Sequence, residues 1–261
     1  NFTLAATASD DNPAPYIRLA SIQIDEDPER AIQTLHKALE QLPGHPRLTE
    51  LLGHAYMANQ QNELAVEWLE KAEQRLGDDP RGRVYYQLAT AWFRMGDETN
   101  TLRCISQAMD EDTRYLQGFV ADVLGEADVD LDEAVDLFQR LADGAADEPA
   151  VFLYLGMIKS YAERYDEAIL DFARAGALAT ENRRNTPIID DTYYFSYAAA
   201  HERLGNYAQA EDLFKKALEL NAEHSVAHNY LAYMWAERGE KLDEALAHVQ
   251  IALKLEPDSG A

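Results

Sequence analysis

Two histidines one helical turn apart, His224 and His228, come nearest in this chain to metal-binding chemistry. An i, i+4 pair projects from one helix face and can hold zinc, and Glu223 stands beside it. No third ligand or open cavity can be identified, and a solvated histidine pair near a helix cap is the alternative. We therefore predict no metal site.

Nucleophilic and phosphate chemistry have weaker support. The sequence contains no GxxxxGK[ST], GxSxG, HExxH or CxxC motif. Its one cysteine, Cys104, falls on the apolar side of a predicted helix, where a small buried hydrophobic residue is expected. We predict no catalytic residues, no cofactor and no enzymatic activity.

The charge balance is strongly acidic, with 47 acidic and 23 basic residues and a net charge of -24. Nucleic acid and anionic membrane surfaces are disfavoured, because their phosphates require lysine and arginine. The charge serves solubility or attracts a basic partner. No run approaches the roughly 18 apolar residues of a membrane span. We expect a soluble chain. Both the cytoplasm and the periplasm are possible compartments, since the sequence does not decide whether a signal segment precedes Asn1.

A pattern of small and bulky residues recurs along the chain. A small residue is followed four positions later by a bulky apolar one and three further on by Ala or Leu, which places all three on one helix side. Subtracting neighbouring positions gives spacings from 33 (134 − 101) to 42 (210 − 168) residues. The small residues are Ala31, Ala65, Thr101, Ala134, Ala168, Ala210 and Ala245. The bulky residues are Leu35, Leu69, Ile105, Phe138, Phe172, Phe214 and Val249.

A second pattern, a Leu-small pair or its equivalent, precedes most of these marks and predicts a first helix packed against each second helix. In the stretch from Pro149 to Ala175, Gly156 and Ala168 are small where two helices must approach closely, and Phe172 fills the gap. One such hairpin cannot bury both of its faces, so the hairpins must stack.

These segments resemble the tetratricopeptide repeat family, most clearly in LLGHAYMANQQNELAVEWLEKA, YLGMIKSYAERYDEAILDFARA and YAAAHERLGNYAQAEDLFKKAL. The C-terminal repeat looks like those of bacterial members. The resemblance implies an all-α, right-handed superhelical solenoid of about seven antiparallel helix hairpins. We predict a flexible tail over residues 1–12 and one solenoid over 13–261. Its repeats are expected near 13–45, 46–79, 80–111, 112–147, 148–181, 187–223 and 224–258.

Three places depart from the regular pattern. The fourth repeat lacks the Leu-small pair at the usual spacing, and the 42-residue gap adds about eight residues in ALATENRRNTPIIDD, as a lengthened helix or a projecting loop. The last helix, LDEALAHVQIALKLEP, is amphipathic. We expect that the chain is a fragment of a longer protein or that a partner covers this end.

In the family, the first helices line a concave channel. The corresponding positions are a candidate ligand site, because aromatic and Met side chains there suit peptide capture. The alternative is that they fill a tight interior against neighbouring helices. The positions are Arg47, Glu50, His54, Arg83, Tyr86, Thr90, Phe93, Arg94, Leu153, Met157, Tyr161, Phe195, Ala199, Arg203, Asn229 and Tyr233.

Family members that bind chaperone C-termini clamp a carboxylate with Lys, Arg and Asn on successive first helices. Only Asn229 matches here, so that clamp is absent. In the N-terminal half, Arg47, Arg83 and Arg94 could pair with a ligand carboxylate instead.

We predict a non-catalytic scaffold that binds a peptide or helical segment of another protein in its channel. The expected partner carries apolar anchors and basic flanks. The alternative is a structural component of a bacterial cell-envelope, secretion or polysaccharide-export assembly that binds through its ends or convex face. Self-association through the C-terminal hairpin is part of that alternative.

Overall fold

The computed structural model describes residues 12–77, 80–181 and 188–257, and the regular secondary structure in those ranges is entirely α-helical. The helices are α1 Ala14–Glu26, α2 Pro28–Gln41, α3 Pro46–Ala58, α4 Asn62–Leu76, α5 Gly82–Arg94, α6 Glu98–Glu111, α7 Arg114–Gly125, α8 Leu131–Gly144, α9 Pro149–Tyr161, α10 Tyr165–Glu181, α11 Asp191–Arg203, α12 Tyr207–Leu220, α13 Ser225–Arg238 and α14 Leu242–Leu255.

Internal contacts divide the chain between Ala127 and Asp128 into two compact units. In unit 1, α1 pairs with α2, α3 with α4 and α5 with α6, while α7 packs on α5 and α6. In unit 2, α8 packs on α9, and the hairpins are α9 with α10, α11 with α12 and α13 with α14. The division falls inside the irregular fourth repeat, and a single solenoid over 13–261 stays a prediction.

Several helices begin where a proline and a capping residue coincide. Asp27 accepts a hydrogen bond from the backbone N–H of Arg30 at 3.1 Å, and Pro28 occupies the first position of α2. Pro46 and Pro149 open α3 and α9 in the same way. Proline suits this position because the first backbone N–H groups of a helix have no carbonyl partner within it.

Four hairpins turn through one residue with left-handed backbone geometry. In two of these hairpins the turn residue is a glycine, Gly96 at φ 72° or Gly205 at φ 74°. In the other two it is Gln60 or Glu163, each at φ 58°. The next backbone N–H donates to a carbonyl five residues back, which closes the helix end. These bonds are Gln61 N to Tyr56 O, Asp97 N to Trp92 O, Arg164 N to Lys159 O and Asn206 N to His201 O.

The residues that define the repeat form the core. In the seven second helices, 20 of the 21 positions of the small–bulky–small pattern are buried, and Val249 is half-buried. Burial of this apolar surface is the main favourable term for such a fold. The predicted period is thus the period of the packing.

Small residues in the first helices let the hairpins close. A Cβ atom added at Gly53 would lie 2.6 Å from Leu69 Cγ, and one added at Gly156 would lie 3.0 Å from the ring of Phe172 and 3.2 Å from the carbonyl oxygen of Ala168. The glycines therefore mark where first and second helices approach most closely. The predicted roles of Gly156, Ala168 and Phe172 are confirmed by these contacts.

Successive first helices also contact one another within each unit. In unit 1, α1 contacts α3, α3 contacts α5 and α5 contacts α7; in unit 2, α9 contacts α11 and α11 contacts α13. We call these two rows of first helices the unit 1 wall and the unit 2 wall. The right-handed sense of the predicted superhelix stays a prediction.

The 42-residue gap is partly explained by a longer helix. With 17 residues, α10 exceeds the 14 of α12 that follows it. The predicted projecting segment falls on residues 182–187, outside the described part of the chain. The predicted tail, apart from Asn12, also lies outside it.

Replacement of Gly53 by Ala should destabilise unit 1 by about 1–3 kcal/mol, because the new methyl group overlaps the Leu69 side chain. Chemical denaturation of the purified chain measures this loss.

Gly118→Ala is the matched control. Gly118 lies inside α7, where an added Cβ would make ordinary contacts of 3.4–3.5 Å with the Tyr86 side chain. Alanine also favours a helix over glycine by about 1 kcal/mol. The control should match or exceed the wild type in stability; equal stabilities of the two variants would contradict a close approach at Gly53.

Candidate functional site

The unit 1 wall contains a buried carboxylate held by two arginines. The Glu50 side chain is only 2% exposed and accepts a hydrogen bond from Arg47 Nη1 at 2.6 Å. From the next first helix, Arg83 donates to both Glu50 oxygens, with Nη2 at 2.9 Å from Oε2. A buried charge needs such compensation. Arg47 and Arg83 are therefore engaged with the chain itself, and a ligand carboxylate would have to compete with Glu50.

Two hydroxyl groups of α5 converge on a carboxylate of α7. The Tyr86 hydroxyl donates to Asp122 Oδ2 at 2.7 Å, and Thr90 Oγ1 donates to the same oxygen at 3.1 Å. Burial, and then the bond to Asp122, raises the pKa of Tyr86. The ring of Tyr86 also stacks on Tyr115, with centroids 6.0 Å apart. Tyr86 and Thr90 are thus tied to α7.

At the C-terminal end of α5, Arg94 pairs with Glu126 of the same unit, with Nε 2.7 Å from Oε1. The ring of Phe93 packs edge-on against Phe119 at 5.9 Å. Sequence reasoning missed Asp122 and Glu126. A signal for them existed, since they lie 36 (122 − 86) and 32 (126 − 94) residues after their partners, about one repeat later.

His54 is half-buried on α3. Burial is the largest cause that lowers its pKa, and Arg47 adds to it. The nearby carboxylates of Glu50, Asp25 and Asp122 oppose that shift. The imidazole is therefore neutral at pH 7, and it adds no positive charge to the unit 1 wall.

In unit 2, four of the predicted channel positions are packed into the core, namely Leu153, Met157, Phe195 and Ala199. Leu153 is buried and Met157 packs partly buried against the same cluster. Phe195 lies 5.0 Å from the His224 ring and 5.3 Å from Tyr230, while Ala199 is half-buried beside it. These side chains have neighbours from their own unit, as the interior-filling alternative expects.

The other predicted positions of the unit 2 wall remain exposed, namely Tyr161, Arg203, Asn229 and Tyr233. Tyr161 is 62% and Tyr233 is 57% exposed, and Asn229 is exposed as well. The Tyr233 hydroxyl donates to Glu237. Arg203 is more than half exposed and lies 3.7 Å from the carboxylate of Glu202. The exposed ring of Tyr233 therefore lies next to a carboxylate on α13, that of Glu237.

Tyr161 borders an open groove in unit 2. Val129 and Leu131 line its apolar part, and Asp132 and Glu163 line its acidic part. Asp132 lies 3.7 Å from Arg164, whose guanidinium group is already bonded to both oxygens of Glu167. The groove repeats the combination of an exposed ring with carboxylates.

The histidine pair that suggested zinc has other contacts. The Nδ1 atom of His224 accepts from the backbone N–H of Ala227 and caps α13. His228 is buried: its Nε2 lies 3.0 Å from the Ala222 carbonyl oxygen, and its Nδ1 lies 2.7 Å from Nδ1 of His248. Cys104 is buried, which raises the pKa of its thiol to about 11.

Within the ranges that the structure describes, no helix combines the length and the hydropathy that crossing a membrane would require.

The stacked antiparallel hairpins define a helix-hairpin repeat protein. Residues 24–88 and residues 198–260 each match a family model described as tetratricopeptide repeat. These two segments are tetratricopeptide repeats, and the predicted family resemblance and all-α solenoid fold are confirmed. That fold generally serves as a scaffold for protein–protein interaction, and the family is generally non-catalytic.

Two solved structures are similar to this chain at low sequence identity. The C-terminal part of a TPR repeat-containing protein from Cytophaga hutchinsonii is 17% identical, with a TM-score of 0.50 over 94% of this chain and 96% of that chain. A chain of the APC/C hetero-tetramer Cut9-Hcn1 is 14% identical, with a TM-score of 0.49 over 98% of this chain. This chain covers 49% of that longer chain.

The His228–His248 contact predicts that unit 2 loses stability in acid. The Ala222 carbonyl can only accept, so His228 Nε2 donates, and the Nδ1–Nδ1 bond needs at least one of the two nitrogens to be unprotonated, so the bond is lost when both rings are protonated. Burial, then His228 and Lys215, lower the pKa of His248 below its ordinary 6.5. The folded state thus binds its proton more weakly, and stability present above pH 6.5 is lost as the pH falls through and below that value.

Thermal melts at pH 7.5 and pH 5.5 measure this loss. His248→Gln should lower stability at pH 7.5 and narrow the difference between the two melting temperatures. An unchanged difference in the variant would show that His248 does not contribute to the acid sensitivity.

Proposed function

We propose that each of the two walls of first helices binds an extended or helical segment of another protein, without catalysis. The observation that carries the proposal is Tyr233, a large aromatic side chain that stays 57% exposed at a predicted channel position. The side chains of Leu153 and Phe195 pack against the core of unit 2 and so support the helices of the wall. Tyrosine rings of this kind supply rigid contact area to protein ligands.

The charges around Tyr233 indicate the kind of segment. Glu237 accepts from the Tyr233 hydroxyl, and Glu202 lies close enough to influence its titration, with Arg203 opposing. An aromatic ring flanked by carboxylates favours an apolar anchor with a lysine or arginine beside it. The same combination recurs at Tyr161 with Asp132 and Glu163. This supports a partner with apolar anchors and basic flanks.

A second candidate function, assembly through the C-terminal end, is favoured by a different feature. On α14, an apolar stripe with i, i+4, i+7, i+11 spacing is formed by Leu242, Leu246, Val249 and Leu253. The three leucines are exposed and Val249 is half-buried. A contiguous apolar stripe indicates an interaction surface, whereas single exposed leucines do not. Here the proposed occupant is a second copy of the chain.

Tyr233→Ala tests the wall. Peptides selected on the wild-type chain from a random phage-displayed library should be rich in lysine or arginine next to apolar residues. They should bind the variant about tenfold more weakly or worse, because an aromatic anchor is lost. Isothermal titration calorimetry measures the affinity, and thermal melting should change little because the ring is exposed.

Leu170→Ala is the matched control. Leu170 is 70% exposed on α10, a second helix, and should leave the selected peptides bound as before. Peptides that lose affinity for Leu170→Ala but keep it for Tyr233→Ala would contradict binding at the wall.

Leu246→Glu tests the assembly. If copies associate through the stripe, sedimentation velocity should show concentration-dependent dimers of the wild-type chain and monomers of the variant. Leu220→Glu, at an almost equally exposed leucine (57% against 58%) on α12, should keep the dimers. A wild-type chain that stays monomeric at all concentrations would rule this function out.

A further inference from the structure

We propose that Asp122 is a docking point for an arginine side chain of the protein segment bound at the unit 1 wall. The inference rests on the proposed function and names the chemistry of one ligand group at one carboxylate. Asp122 lies on α7, and its carboxylate meets Tyr86 and Thr90 of α5.

The carboxylates of the unit 1 wall differ in how they are neutralised. Glu50 is paired with two arginines, and Glu126 is paired with Arg94. Asp122 receives two neutral hydroxyl groups, and no lysine or arginine of the described residues lies within ion-pair distance of it. His54 is nearby, and its pKa is lowered, so it is neutral at pH 7. Of these three carboxylates, that of Asp122 is thus the one without an arginine or lysine partner among the described residues.

The two hydroxyl bonds fix the carboxylate and leave one oxygen open. Both reach Oδ2, whereas Oδ1 accepts no hydrogen bond from the described residues. Because Oδ1 is not a fully buried atom, it is accessible from outside. Asp122 itself is half-buried, and a charge there is less screened by water than one on an open surface. A cation can bind this oxygen without displacing a bond of the chain.

The neighbouring rings favour a guanidinium group over an ammonium group. The ring of Tyr86, whose hydroxyl is bonded to Asp122, stacks on Tyr115 at 6.0 Å between centroids. A planar guanidinium group can stack on such rings while it donates to Oδ1. A compact ammonium group would keep only the charge interaction.

The probe for the test is N-acetyl-arginine amide, with the uncharged N-acetyl-citrulline amide as its control. In ¹H–¹⁵N spectra of the full chain, the arginine probe should shift the amide signals around Tyr86, Thr90 and Asp122 and saturate. Citrulline should bind about tenfold more weakly, because the charge-assisted hydrogen bond is lost. Equal binding of the two probes, or no shift at these residues, would overturn the inference.

Asp122→Asn is the decisive variant, since its amide oxygen can still accept from both hydroxyls and should preserve the contact between α5 and α7. It should reduce the arginine affinity about tenfold. Asp110→Asn removes an exposed carboxylate of the same unit and should change nothing. Equal losses in the two variants would show that only the general acidity binds the probe.

The outcome is separable from that of the proposed function. The probe reports on unit 1, and the peptides reduced by Tyr233→Ala report on unit 2. If the peptides bind at Tyr233 and the arginine probe fails, only the Asp122 inference is wrong. If the probe binds and selected peptides avoid both walls, the proposed function is wrong and the Asp122 inference falls with it, because no segment binds that wall.

Discussion

The fold depends on the distance between the two helices of each hairpin. Gly53 over Leu69 and Gly156 over Phe172 leave no room for a β-carbon, so first and second helices meet nearly backbone to side chain. That approach buries the bulky residue of the second helix completely. Because protein interiors are close-packed, an added methyl group cannot be absorbed there without a shift. The repeat period follows from this contact, since each hairpin needs its own small residue opposite its own large one.

Closure of the hairpins determines what the first helices can present. One face of each first helix packs against a second helix. Part of its remaining surface contacts the next first helix in the same unit. Long polar side chains bridge these contacts, as Arg83 does to Glu50 and Tyr86 does to Asp122. Most wall residues are therefore committed to holding neighbouring helices together. Tyr161 and Tyr233, which make no such bridge to a described residue, stay exposed on the unit 2 wall.

The sequence predicts the helices and their core well because both follow from local spacing. Small and bulky residues recur at helical intervals, and those positions are buried in both units. The turns at Gln60 and Glu163 were harder to predict, since a left-handed turn residue is normally marked by glycine. These two turns make the same backbone hydrogen bonds as the turns at Gly96 and Gly205.

The candidate site was less predictable, and for a different reason. Helical register places Leu153 and Tyr161 on the same face, but it does not tell which one is covered by the neighbouring helix. Leu153 is buried, whereas Tyr161 at the end of α9 is open. Asp122 was missed because it lies in the repeat that lacks the usual Leu-small mark, so its register could not be transferred from the others. The channel positions as a ligand site stay a prediction.

The charge of the protein and the charge of its wall are separate quantities. A net charge of -24 acts on distant partners, but salt screens exposed charges beyond about 8 Å under physiological conditions. Recognition at contact distance depends on which carboxylates lack a cation nearby. In the unit 1 wall, arginines pair with Glu50 and Glu126, whereas Asp122 receives hydrogen bonds from hydroxyl groups. An acidic composition alone would favour any basic partner, whereas docking at the single half-buried carboxylate of Asp122, as proposed, would fix the position and geometry of one basic side chain.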